Sequence, residues 1–75
     1  MNEVVTKERL LSVKTVAEIL NLSKRTVHRL NSSGRLPKPV KINGAVRWRE
    51  SDIEKWILWN CPDRKSFEAR RQMEG

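Results

Sequence analysis

The apolar residues of this chain fall into four short patterns separated by polar breaks. Val13, Val16, Ala17 and Leu20 recur at i, i+3, i+4 and i+7, the stripe of an amphipathic helix. Ser12 stands where an N-cap is needed, and Leu11 with Val16 has the spacing of a hydrophobic staple. Asn21-Leu22-Ser23 is a tight corner, and Asn21 tolerates the left-handed backbone that ends a helix. A second helix follows, capped by Ser23 and stapled by Leu22 and Val27. Its buried side is only Val27 and Leu30, and it ends near Ser32 and Ser33 with Gly34 as breaker. Two short helices joined by about three residues form a helix-turn-helix pattern.

Prolines 37 and 39 bar a helix from residues 35–39. Val40-Lys41-Ile42 and Ala45-Val46-Arg47-Trp48-Arg49 alternate apolar and basic around Asn43-Gly44, a hairpin signal. Two registers compete. A two-residue loop pairs Ile42 with Ala45; a three-residue loop pairs Ile42 with Val46 and Val40 with Trp48. The second gathers Val40, Ile42, Val46 and Trp48 on one face and Lys41, Arg47 and Arg49 on the other, so burial favours it. Ser51 and Glu54 have capping-box spacing for a third helix from Asp52 to about Trp59, with Ile53, Trp56 and Ile57 as its buried stripe. Trp48 and Trp56 are expected to be buried and in contact. The organisation is a flexible N-terminus (1–8), a helix-turn-helix, two-stranded wing and third helix (9–60), and a charged tail (61–75) open to two readings, a loose helix or a fraying segment, with composition slightly favouring the second. The fold class is mostly α with a small β-hairpin.

Charge sharpens this picture. The formal net charge is +7, and residues 21–49 hold eight of the sixteen basic residues and none of the nine acidic ones. An acid-free basic block is the footprint of a polyanion partner. On the second helix, at about 100° per residue, Arg25 and Arg29 lie opposite Val27 and Leu30, flanked by Thr26, His28 and Ser32. Such a helix buries its apolar side and presents two guanidiniums, which bind guanine bidentately or grip phosphate.

Other chemistries find little support. One cysteine, Cys61, and one histidine, His28, make neither an intramolecular disulfide nor a four-ligand zinc site. No catalytic residue, metal or cofactor is expected, and the reading is not an enzyme. Asp52 and Glu54 are accounted for by helix capping. No apolar run approaches the ~20 residues of a membrane span and no signal-peptide pattern opens the chain, so a cytoplasmic location is expected. RNA recognition by base stacking is disfavoured, because Trp48 and Trp56 fall on core faces and there is no Tyr.

The stretches from Leu11 to Leu20, Leu22 to Val27, Gly34 to Pro37 and Val46 to Arg49, with Ser51-Asp52-Ile53 and Trp56-Ile57, resemble MerR-like winged helix-turn-helix modules. The AlpA-type phage regulators and excisionases are the group most similar, over residues 10–58. Asn21 departs from the glycine often found in that turn. The resemblance implies a second helix in the major groove and a hairpin wing on the adjoining backbone. Carried over by position, Lys24, Arg25, Thr26, His28 and Arg29 face double-stranded DNA from the helix, and Lys41, Asn43, Arg47 and Arg49 from the wing. It also implies a regulator or excisionase of phage or mobile-element type, with an integrase, RNA polymerase or a second copy on DNA as candidate protein partners. The alternative is a phage assembly or packaging module that contacts protein through its tail, with Phe67 and Met73 buried against that partner.

Overall fold

The computed structural model describes residues 8–74. Strand β1 (Leu10–Leu11) precedes helices α1 (Val13–Leu20) and α2 (Lys24–Ser32). Strands β2 (Val40–Ile42) and β3 (Ala45–Arg49) form the hairpin, and helices α3 (Glu50–Leu58) and α4 (Arg64–Glu74) close the chain. The sheet order is β1-β3-β2, all antiparallel. The architecture is a winged helix-turn-helix with a third strand and a fourth helix added to the expected plan.

Local chemistry explains the ends of the helices. Ser12 and Ser23 cap as expected: their hydroxyls accept from the N–H of Thr15 and Thr26 at 3.2 and 3.1 Å. Each satisfies one of the free donors of a first turn. Asn21, at φ 58°, ends α1, with its own N–H on Glu18 O and that of Leu22 on Ala17 O. Gly34 (φ 75°) ends α2 with the same bond pair, from Gly34 to Asn31 and from Arg35 to Leu30. Asn60 (φ 69°) repeats it after α3. All three are Schellman endings, which need a residue that accepts the left-handed region.

Three expectations are corrected. First, β2 and β3 pair Ile42 with Ala45, Lys41 with Val46 and Val40 with Arg47. The loop is therefore Asn43-Gly44, with φ 53° and 88°, the two positive values of a type I′ turn. Turn chemistry outweighs burial here. The one-residue shift puts Ile42, 48% exposed, on the face of Arg47, and moves Lys41 to the face of Val46 and Trp48.

Second, α3 starts at Glu50 rather than Asp52, and no Ser51–Glu54 capping box forms. Residues before β1 serve its free donors instead. The Glu50 N–H donates to Arg9 O at 2.8 Å, and Ser51 Oγ donates to Glu8 Oε2 at 2.7 Å. Its buried side is Asp52, Ile53 and Trp56 rather than Ile53, Trp56 and Ile57, and Ile57 is 43% exposed.

Third, the charged tail contains an eleven-residue helix whose Phe67 is fully buried. Asp63 caps it, accepting from the Ser66 N–H at 2.8 Å. That bond, with smaller contributions from Arg35 and Lys65, holds the Asp63 carboxyl below its ordinary range.

One core joins these parts: Leu11, Val16, Ala17, Val27, Leu36, Trp48, Ile53, Trp56 and Phe67. Val27 alone is worth about 1.5–3 kcal/mol when fully buried. Each buried indole has a carbonyl for its N–H. Trp48 Nε1 donates to Pro37 O at 2.9 Å, and Trp56 Nε1 to Pro62 O at 2.7 Å. Trp59 stacks at a tilt on Phe67, with centroids 5.3 Å apart, and carries Arg70 over its ring at 4.4 Å.

Candidate nucleic-acid interface

The α2 helix is oriented by what it buries. Val27 is fully buried and Leu30 is packed against the core, so the opposite side must face outward. Lys24, Arg25, His28 and Arg29 are all exposed on it. Thr26 is half-buried, and its Oγ1 accepts from Ser23 Oγ at 2.9 Å, so its hydroxyl serves the cap as well as the outer surface. Four of the five helix residues singled out from the sequence therefore lie together on one open face. No carboxylate stands anywhere between Ile19 and Arg49.

The wing residues divide. Lys41, Asn43 and Arg49 are exposed, whereas Arg47 is half-buried and its Nη1 donates to Val46 O at 2.8 Å. The observed register places Arg47 and Arg49 on one face of the hairpin and Lys41 on the other. The shared outer face expected for Lys41, Arg47 and Arg49 does not form.

Lys41 faces a cleft that the sequence reading missed. Asn31, Lys38, Pro39, Lys41 and Arg64 line an open depression of about 420 Å³ between the end of α2, the proline loop and the wing. Arg64 braces its wall. Its Nε donates to Leu36 O at 2.9 Å and its Nη2 to Asn31 Oδ1 at 2.9 Å. The Arg64 N–H also donates to Gly34 O at 2.9 Å. Lys38 belonged to the basic block visible in the sequence; Arg64 lies 33 residues from Asn31, and no local pattern joins them.

Against known families, a helix-turn-helix domain model matches residues 10–58. The chain belongs to this helix-turn-helix domain family. Members of the family are small DNA-binding domains of excisionase-like type. The helix-turn-helix match spans β1 to α3, so α2 and the wing lie inside it and α4 outside. No curated protein and no solved structure is significantly similar to the chain. Among the described residues, no helix is long and apolar enough to cross a membrane, and no group of three or more His, Cys, Asp or Glu could hold a metal ion.

Proposed function

We propose that this helix-turn-helix protein binds double-stranded DNA sequence-specifically and acts as a transcriptional regulator or excisionase of phage or mobile-element type, without enzymatic activity. The observation that carries the reading is the outward, acid-free face of α2, with Lys24, Arg25, His28 and Arg29 exposed around a helix anchored by Val27. Arg25 and Arg29 are the candidates for base contact; Lys24, Thr26 and His28 flank them. From the wing, the exposed Lys41, Asn43 and Arg49 are the candidates for neighbouring phosphates, Lys41 on one face and Arg49 on the other, while Arg47, half-buried and bonded to Val46 O, is the least available of the four. Such contacts position the protein, while base contacts specify the site.

One domain of this size reads few base pairs, so useful specificity calls for a second copy on DNA or a partner such as an integrase or RNA polymerase. The resemblance to AlpA-type, MerR-like proteins supports the same two roles. The packaging reading loses support, because it needs Phe67 free for a partner and Phe67 is buried within the fold.

The test is site selection from a random duplex library, followed by footprinting on the promoter and recombination-site DNA next to the gene. The expected result is one enriched sequence and protection at one of those places. Enrichment of no sequence would count against specific regulation.

A further inference from the structure

We propose that the cleft between α2 and the wing seats one backbone phosphate of the bound duplex on Lys38 and Lys41, with α4 supplying the wall that shapes it. The inference rests on the DNA-binding reading above. Its own support is the donor set. Lys38 and Lys41, both exposed, line the cleft. Asn31 Oδ1 is occupied as the acceptor from Arg64, which leaves the amide N–H groups of Asn31 as donors. Arg64 makes its side-chain hydrogen bonds through Nε and Nη2. None of the five lining side chains is acidic. A depression edged by two lysines and an amide, with no carboxylate in its lining, matches an anionic oxygen ligand.

Position favours the phosphodiester backbone as that ligand. At about 100° per residue, Asn31 lies on the flank of α2 that also carries Lys24 and His28. The cleft thus continues the exposed basic face of α2 towards the wing strand that bears Lys41. A backbone running from the groove that receives α2 to the wing crosses this gap. Arg64 acts here as a positioning residue. It pins Leu36 and Asn31 and so fixes the loop that carries Lys38. Arg64 lies beyond the segment matched by the family.

The experiment compares the wild-type protein with Lys38→Gln and, as a control for net charge, Lys55→Gln. Lys38 is exposed, and Lys55 is an exposed α3 residue paired with Glu74 at 3.6 Å. Each protein is titrated against a mixed-sequence 20-base-pair duplex from about 50 to 200 mM salt, with thermal melting as the check on folding. Loss of one phosphate contact lowers the slope of log K against log salt by about 0.9. Because Lys41 still reaches the same phosphate, the affinity drop across that range should be smaller for Lys38→Gln than for wild type by up to about 3.5-fold. Lys55→Gln should keep the wild-type slope. A methylphosphonate scan of the duplex should reveal one position whose neutralisation weakens wild type more than it weakens Lys38→Gln. Equal slopes for Lys38→Gln and wild type overturn the cleft assignment, as does an equal reduction in both variants. A wild-type protein that binds no duplex at any salt overturns the DNA-binding reading itself.

Discussion

Arg64 Nη2 donates to Asn31 Oδ1 at 2.9 Å, so the first residue of α4 is tied to the last turn of α2. The contact is partly buried and charge-assisted, which makes it stronger than a neutral surface bond. A double-mutant cycle with Asn31→Ala and Arg64→Ala should give a coupling of about 0.5–3 kcal/mol in urea unfolding. Strict additivity would mean that α4 does not brace α2.

Phe67 is fully buried and packs on Trp59, so Phe67→Ala should cost about 3–5 kcal/mol. A small domain has only about 5–15 kcal/mol in total, so the melting temperature should fall steeply. Met73→Ala, at a side chain 86% exposed, should change little. If Phe67→Ala and Met73→Ala melt alike, α4 is not part of the cooperative unit.

The wing depends on a turn that needs two left-handed residues. A Cβ at Gly44 meets no neighbouring atom, so the cost of Gly44→Ala is conformational, arising from φ 88°. About 1–2 kcal/mol of destabilisation is expected. NMR should show cross-strand contacts between Lys41 and Val46. Contacts between Ile42 and Val46 as a directly opposed pair would reinstate the three-residue loop.

Two carboxylates in the first turn of α3 respond to acid with opposite signs. Burial raises the Asp52 carboxyl above its ordinary range, more than Arg71 (3.3 Å away) and Arg49 lower it. The folded state therefore holds this proton more tightly than the unfolded chain. The contribution is greatest below the unfolded pKa and is lost as pH rises through the raised value. The Arg9 hydrogen bond lowers Glu50, whose contribution is present above the unfolded pKa and lost as pH falls. Thermal melts between pH 3 and 7 should show Asp52→Asn matching wild type at the acid end and equalling or exceeding it at neutral pH. A variant less stable than wild type only at neutral pH would show that the Arg71 ion pair outweighs burial.

Periodicity made α1, α2 and the hairpin legible, because each has a repeating apolar pattern and a punctuating Ser, Asn or Gly. What escaped lacks such a pattern. Leu36 and Pro37 are buried in an aperiodic loop, and Leu10–Leu11 is too short a strand to alternate. Phe67 is the single core residue in a charged segment, so α4 reads as a tail until Trp59 and Trp56 are seen beside it in the core cluster. The register failed because two cues conflicted, and the Asn43-Gly44 turn prevailed at the cost of exposing Ile42. The face of α2 was readable from helical spacing alone. The cleft was not, since Arg64 and Asn31 meet only through the tertiary fold.

The central claim is that α2 reads DNA sequence and the wing grips backbone. Arg25 and Arg29 are exposed, so Ala substitution should leave the melting temperature unchanged. The deciding measurement is a binding titration of Arg25→Ala, Arg29→Ala and Lys41→Ala on a selected cognate duplex and on its scrambled counterpart. At least one arginine variant should lose about 1–3 kcal/mol on the cognate duplex alone, with relaxed preference at one base pair. Lys41→Ala should weaken both duplexes equally and reduce the salt slope by up to about one unit. Equal losses on both duplexes for Arg25→Ala and Arg29→Ala would contradict the account and leave α2 as a charged surface without direct readout.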